Sequence, residues 1–340
     1  MKTMIPTKLV GPIKIISDGI TSDIKAPLAT FESPLWYSVN RGARVTRKAG
    51  GIKAVMVQEC MTRSILLEAD DAGYAVMVVN DLEKYRVELE ELTTKSSRFA
   101  KLKDFHTQIV ANLIYIRFAF TTGGAAGHNM ATKAAEMIQQ WLLNKYSKLK
   151  YLSISGNYCV DKKNSAVNGI LGRGKYVIAE VLIPCDLCED QLHTTPEKIV
   201  DLNIKKNLIG SIISGGVRTA NAHFANMLLA FYLAMGQDGA NIVEGSQGFT
   251  YAEVRKDGLY FSVTLPNIIV GAIGSGKDLD FVRENLSALG CLKVDDYDFN
   301  SRFLAFISAA VVLCGELSLL AAQTNPGELM QSHIAIERKK

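Results

Sequence analysis

The sequence has no run of lysine and arginine long enough to indicate a nucleic-acid-binding protein. Its formal net charge of +4 is spread over 340 residues, and the one basic cluster lies at residues 338–340. The N-terminus shows no apolar segment of signal-peptide length, so export is not indicated. These absences predict a cytoplasmic protein that binds neither nucleic acid nor an acidic membrane surface.

An uninterrupted apolar segment of membrane-spanning length is also missing. Residues 303–322 are the most apolar stretch, but Glu316 interrupts them well short of the roughly 20 residues that cross a bilayer. We therefore predict a buried core helix at this position and no membrane.

Cysteine is sparse, which argues against both a disulfide framework and a metal site. The chain has six cysteines, and because it shows no secretory signal, we expect them to be free thiols. Cys185, Cys188 and His193 have the spacing of a partial zinc site, but no second pair of ligands follows them. The sequence predicts no metal.

What remains is an ordinary globular composition, 48% hydrophobic and 21% charged, which allows one large core or two moderate ones. Helical and strand patterns alternate without repeats, so the predicted fold class is α/β or α+β. Strands are predicted at 51–57, 106–120, 151–154 and 175–183, and a hairpin at 251–265. Helices are predicted at 81–92, at 207–235 as a long central helix, and from an Asn129 cap with Ala134, Ile138, Trp141, Leu142 and Tyr146 on one face.

The loop at residues 155–163, SGNYCVDKK, concentrates charge beside an apolar strand. Asp161 can keep the neighbouring Lys162 and Lys163 charged, so that one ammonium stabilises a developing oxyanion and the other pairs with a substrate carboxylate. A solvated turn with a local ion pair is the alternative. Asp238, at the exit of the predicted central helix, is a second candidate, with a satisfied core carboxylate as its alternative.

Two glycine clusters suggest anion binding. Residues 271–277 match the phosphate-loop pattern, but Asp278 stands where a hydroxyl should bind magnesium, which argues against a nucleotide hydrolase. Residues 123–129 lie between a strand and a helix, where backbone N–H groups could receive an anionic cofactor. This cluster lacks the Rossmann spacing, and a simple tight turn is the alternative.

Taken in order, these motifs resemble those of the 3-hydroxy-3-methylglutaryl-coenzyme A (HMG-CoA) reductase family, in the class with eukaryotic and archaeal members. The resemblance covers residues 26–338. The matching motifs are ATFE at 29–32, MTR at 61–63, SRF at 97–99, SGNYCVDKK at 155–163, NIKKNL at 203–208, GQDGAN at 236–241, GAIGSG at 271–276 and SH at 332–333.

The resemblance implies the four-electron reduction of HMG-CoA to mevalonate with two NADPH, NADH being a possible substitute. It implies that Lys162 polarises the thioester carbonyl, Glu32 donates a proton, Asp238 links the two, and His333 protonates the coenzyme A thiolate. The substrate-binding residues implied are Arg63, Ser155, Lys163, Lys206 and Asn226. Coenzyme A, as part of the substrate, would contact Ser38, Asn40, Arg41 and Arg44. The nicotinamide cofactor would contact Ser97, Arg98, Phe99, Gly124, Ala125, Ala126, Gly127, His128 and Asn129.

The resemblance also implies an architecture. A small ferredoxin-like nucleotide-binding domain at 64–153 would be inserted in a large substrate domain, 1–63 plus 154–340, built around the long central helix. The active site would be shared across the subunit interface of a homodimer or higher homo-oligomer, with the Lys162 loop reaching into the partner's pocket.

One departure from the family pattern motivates an alternative function. The cofactor turn reads GAAGHN at 124–129 where the family usually has Asp-Ala-Met-Gly-Met-Asn, so a carboxylate is missing and a histidine is added. A weakly active or inactive regulatory homologue that binds coenzyme A thioesters is therefore the second hypothesis.

Overall fold

The computed structural model describes residues 3–294 and 296–337, without the side chains of Ser332, His333 and Glu337. Its strands are β1 Thr7–Ser17, β2 Ile20–Ala29, β3 Ile52–Ala69, β4 Leu102–Val110, β5 Leu113–Phe120, β6 Leu149–Ser153, β7 Gly174–Ile183, β8 Phe249–Arg255 and β9 Gly258–Ile268.

The helices occupy most of the chain between these strands. They are α1 Ser33–Lys48, α2 Ala72–Asp81, α3 Arg86–Ser96, α4 His128–Lys145, α5 Ala166–Leu171, α6 Cys185–Leu192, α7 Pro196–Leu202, α8 Gly210–Ile213, α9 Phe224–Ala234, α10 Ile242–Gly245, α11 Asp280–Ala288, α12 Tyr297–Gln323 and α13 Glu328–Glu337. Short 3₁₀ segments at Leu82–Tyr85 and Gly239–Asn241 and a π-helix at Asn203–Ile209 complete them.

Strand β3 joins two parts of the sheet. Its first half pairs with β1 and β7, giving the order β2-β1-β3-β7-β9-β8. Its second half pairs antiparallel with β5 and β6, and β4 adds to β5. The second part follows the connection order β-α-β-β-α-β of a ferredoxin-like unit. The predicted domain boundary at residue 64 falls inside β3, and the division into domains stays a prediction.

The buried apolar side chains form two clusters. The larger one surrounds α12, whose residues 303–322 pack against α1, α9 and the sheet. The smaller one lies between α4 and the strands of the ferredoxin-like unit, with Ile269 added from outside it. Helix α12 is the one described helix long and apolar enough to cross a membrane, and 94% of its apolar window is buried in the protein. The predicted core helix at 303–322 is confirmed.

The predicted long helix at 207–235 is wrong. The chain is helical to Ile213, leaves the helix at Ser214, and becomes helical again only at Phe224. Gly215 takes φ +74°, a left-handed conformation that ends a helix and that glycine adopts without steric strain. The long central helix of the molecule is α12 instead.

The single strand predicted at 106–120 is a hairpin. Strands β4 and β5 pair antiparallel with Val110 opposite Leu113. Ala111 turns the chain with φ +55°, and the Asn112 side chain donates a hydrogen bond to the Ala69 carbonyl at 2.7 Å. The sequence did not indicate this two-residue turn, because the residues on both sides of it favour β-structure.

Two predicted helix starts are also wrong. The segment predicted at 81–92 is helical, but the helical stretch begins at Ala72, where Asp71 caps α2 by accepting from the Tyr74 N–H at 2.8 Å. Helix α4 starts at His128 after Gly127, so Asn129 lies in its first turn and is not its cap. The predicted apolar face of α4 is buried at Ala134, Ile138, Leu142 and Tyr146, with Trp141 partly buried.

The other predicted strands are confirmed, although the one predicted at 51–57 continues to Ala69. They correspond to the start of β3, to β6 and β7, and to the β8–β9 hairpin, which turns at residues 256–257.

Candidate functional site

Lys162 and Asp238 form an ion pair, with 2.7 Å between Nζ and Oδ2. Both side chains are about half exposed. The hydrogen bond from the ammonium lowers the pKa of Asp238, and the same bond raises the pKa of Lys162. Asp238 therefore holds the Lys162 ammonium in place and fully charged, with one face of the ammonium open to solvent.

The local fold explains the position of each partner. Asp238 follows α9 after the turn at Gly236, and its Oδ1 caps the next 3₁₀ segment by accepting from the Ala240 N–H at 3.1 Å. Lys162 lies on the loop after β6 with φ +55°. A left-handed conformation costs a non-glycine residue about 1–2 kcal/mol, so other contacts must hold it.

The ion pair faces a cavity of about 750 Å³. Among the predicted site residues, the cavity is lined by Arg63, Ala125, Ala126, Gly127, His128, Asn129, Lys162 and Asp238. The structure therefore brings one predicted catalytic pair together with the predicted cofactor turn.

A buried ion pair lies beneath this cavity. The Arg173 and Glu244 side chains are fully buried, with 2.8 Å between Nη1 and Oε1. Glu244 Oε1 also accepts from the Lys162 backbone N–H at 3.1 Å. Burial raises the pKa of Glu244 to about 6, against the opposing charge of Arg173. Neither residue was predicted as part of the site, because no sequence motif surrounds Arg173 or Glu244.

Asp161 pairs differently from the prediction. Its Oδ1 lies 3.6 Å from His128 Nε2 and 2.9 Å from Arg173 Nη2. The nearby His128 imidazole and the Arg173 charge hold the pKa of Asp161 well below its usual range, although burial opposes them. Lys163 donates instead to the backbone carbonyl of Asp161 at 3.0 Å, and its side chain is exposed. The carboxylate is therefore held mainly by His128 and Arg173 and not by the two lysines.

Glu32 lies in a separate cavity of about 360 Å³. It immediately precedes α1, and its Oε2 accepts a hydrogen bond from the Asn226 side chain at 3.0 Å. His223, Ser38 and Arg41 line the same cavity. Within one chain the structure thus pairs Lys162 with Asp238, while Glu32 belongs to another pocket.

The residues predicted to bind coenzyme A lie on two faces of α1. Ser38 and Arg41 point to the Glu32 cavity, whereas Asn40 and Arg44 line a different depression with Gly11. Arg41 donates to the Ser318 carbonyl at 2.6 Å and pairs with Glu328 of α13 at 2.5 Å. Asn40 Oδ1 accepts from the Gly11 N–H at 2.8 Å.

The two predicted cofactor segments meet. The Phe99 carbonyl accepts from Thr121 Oγ1 at 2.9 Å, and the Phe99 ring lies beside Gly123. The Arg98 guanidinium lies 4.6 Å from the Phe99 ring centroid and is exposed, and the Ser97 hydroxyl accepts from the Phe99 N–H at 3.3 Å.

Tyr297 at the start of α12 explains the glycine at position 124. A Cβ on Gly124 would lie 2.9 Å from the Tyr297 carbonyl oxygen, closer than backbone atoms allow. The usual aspartate of the family would therefore require α12 to move.

The predicted substrate-carboxylate set is divided between the pockets. Arg63 lies with Lys162, and Asn226 lies with Glu32. Lys206 donates to Asn207 Oδ1 at 3.0 Å, and burial lowers the pKa of Lys206. Ser155 follows β6, and its N–H donates to Ser153 Oγ at 3.0 Å. The side chain of His333 lies outside the part of the chain that the structure describes.

The phosphate-loop alternative is not supported. The Lys277 ammonium, which would bind a phosphate in such a loop, donates to the Gly236 carbonyl instead. Burial lowers the pKa of Lys277 to about 8. Among the described residues no group of three or more His, Cys, Asp or Glu side chains could hold a metal ion.

Comparisons with known proteins agree on one family. The family model described as hydroxymethylglutaryl-coenzyme A reductase matches residues 2–338. The 3-hydroxy-3-methylglutaryl-coenzyme A reductase of Pyrococcus abyssi is 43% identical over 321 residues, which cover 94% of this chain and 78% of the relative. The protein of the same name from Methanocaldococcus jannaschii is 40% identical over 339 residues, covering 98% and 82%.

A solved structure shares the fold. It is the class II 3-hydroxy-3-methylglutaryl-CoA reductase from Streptococcus pneumoniae bound to NADPH in open conformations, which is similar with a TM-score of 0.76 at 19% identity. The match covers 95% of this chain and 86% of that structure.

Proposed function

Because the chain belongs to the hydroxymethylglutaryl-coenzyme A reductase family, we propose that it reduces HMG-CoA to mevalonate and free coenzyme A with NADPH. The Lys162–Asp238 ion pair, in the same cavity as the cofactor turn, carries this proposal. NADPH supplies the hydride, and reduction of a thioester to an alcohol takes four electrons, hence two NADPH. The physiological setting we assign is the cytoplasm.

The chemistry follows from the charges in the cavity. When a hydride reaches the thioester carbon, negative charge develops on the carbonyl oxygen, and the Lys162 ammonium stabilises it. Asp238 keeps the ammonium charged and in place. Arg63, lining the same cavity, pairs with the substrate carboxylate, assisted by Ser155 and Lys163 of the loop after β6 and by Lys206 of the partner subunit.

Proton transfer requires Glu32, which one chain does not bring to Lys162. We place Glu32 of the partner subunit opposite the ammonium, so that each active site combines the two cavities of different protomers. Asn226 orients Glu32 from its own side. His333, whose imidazole can give up a proton near neutrality, protonates the coenzyme A thiolate.

The surface of the chain favours such a dimer. Ile209, Ile212 and Ile213 repeat at helical spacing beside Lys206, and Ile212 and Ile213 are 75% and 81% exposed. A second copy of the chain would cover this apolar face.

An assay of purified protein tests the proposal. With HMG-CoA, NADPH oxidation is expected to yield mevalonate and coenzyme A at two NADPH per thioester. Calorimetric binding of HMG-CoA without any turnover would instead support the alternative of a regulatory homologue that binds thioesters.

The exposed Arg98 is positioned to select NADPH over NADH. We expect Arg98→Ala to raise the KM for NADPH about 10-fold or more while leaving that for NADH nearly unchanged, because a guanidinium that binds the 2′-phosphate has no such partner in NADH. Lys95→Ala, which removes a nearby exposed cation at the end of α3, is the matched control. Equal changes for both cofactors would show that Arg98 does not contact the 2′-phosphate.

A further inference from the structure

The backbone of Lys162 has a left-handed conformation that its own side chain does not favour. Lys162 has φ +55°, and Val160, two residues earlier, has φ +45°. The direction of the Lys162 side chain depends on this backbone angle, since a change in φ would rotate Nζ away from Asp238. Contacts that hold the Lys162 backbone in this conformation therefore also hold the ammonium in position.

Glu244 is the group that contacts this backbone. Its Oε1 accepts from the Lys162 N–H at 3.1 Å, and the carboxylate is fully buried. A charged acceptor makes a stronger hydrogen bond than a neutral one, and burial removes competing water. Glu244 lies on α10, six residues after Asp238. One short segment therefore contacts both the backbone N–H and the side-chain ammonium of Lys162.

Arg173 fixes Glu244 in turn. Its Nη1 lies 2.8 Å from Glu244 Oε1, and its Nη2 lies 2.9 Å from Asp161 Oδ1. The guanidinium is a rigid planar fork, so it holds the carboxylate that contacts Lys162 and the carboxylate of the preceding residue at a set separation. The loop is thereby anchored from below on both sides of the Asp161–Lys162 peptide bond.

We propose that Glu244 is a positioning residue that holds the Lys162 backbone in its left-handed conformation and so places the ammonium for the reaction, with Arg173 orienting Glu244. This inference rests on the proposed function of Lys162. Glu244 itself lies below the cavity and touches neither substrate nor cofactor.

A matched pair of variants isolates the hydrogen bond. Glu244→Gln and Glu244→Met are similar in size and both remove the charge, but only glutamine keeps an oxygen that accepts from Lys162. We expect Glu244→Met to lower kcat about 10²-fold, as misplacement of a catalytic group by about 1 Å does. The KM for NADPH should change less than twofold, and Glu244→Gln should recover most of the lost kcat.

Leu192→Ala is the control for an effect of lower stability alone. It removes a buried side chain of α6 and leaves a cavity there, away from the residues placed in the site. It should lower the melting temperature and leave kcat unchanged. If the buried Arg173, left without Glu244, prevents Glu244→Met from folding, both substitutions are repeated on an Arg173→Met background, which removes the unpaired charge.

Crystal structures of the two variants give a readout that does not need activity. The glutamine variant should keep Lys162 φ near +55° and the contact with Asp238, and the methionine variant should lose both. Equal kcat for the two variants, or an unchanged Lys162 in the methionine variant, would overturn the inference. A wild-type protein without thioester turnover whose variants show the expected change at Lys162 would refute the proposed function alone.

Discussion

Replacing Lys162 with alanine is expected to lower the rate of NADPH oxidation with HMG-CoA about 10³-fold while the protein keeps its fold. Removal of a single neutral donor from an oxyanion site lowers kcat by about 10²–10³-fold, and here the donor is a full positive charge. Because Lys162 is half exposed, no core packing is lost with its side chain. The measurement is kcat, with circular dichroism and thermal melting to confirm folding.

The matched control is Lys150→Ala. Lys150 lies on β6 shortly before the same loop, and its ammonium is 3.8 Å from Glu68 at the surface. Such an exposed pair contributes little, so this variant should retain the wild-type rate. A rate for Lys162→Ala within tenfold of wild type would refute the oxyanion role.

Replacing Glu32 with glutamine is expected to lower kcat about 10²–10⁴-fold, the usual contribution of a general acid. Glutamine has the same shape and its amide oxygen can still accept from Asn226, so the cavity around position 32 should be preserved. The dissociation constant of HMG-CoA, measured by calorimetry, should change little. The substitution therefore separates proton donation from substrate binding.

Glu253→Gln is the control for this second variant. Glu253 lies on the β8–β9 hairpin and pairs with Arg255 at the surface, at 2.8 Å. It should behave as wild type. If Glu32→Gln retains near-normal kcat, the proton comes from another group, and the second cavity has a different purpose.

Local patterns in the sequence predicted much of the fold. The apolar face of α4, the alternating strand β7 and the Asp257-Gly258 hairpin are each set by neighbours a few residues apart. The helix break at Gly215 and the turn at Ala111 were missed, because strongly apolar or β-prone flanks outweighed one or two turn residues.

The site was predictable only through the resemblance to the family, and only in part. The contact between Lys162 and Asp238 joins residues far apart in sequence, which no local pattern indicates. Arg173 and Glu244 gave no signal, because a buried ion pair is recognisable only when both partners are seen to be enclosed. The separation of Glu32 from Lys162 within one chain likewise required the three-dimensional structure.

The central claim is that Lys162 and Asp238 of one protomer work with Glu32 of the partner subunit. The most direct test mixes the two inactive variants, Lys162→Ala and Glu32→Gln, by co-expression or by refolding together. Random pairing in a symmetric dimer leaves about a quarter of the sites with both residues intact, so about a quarter of wild-type activity should return. A mixture no more active than its two components would contradict the account.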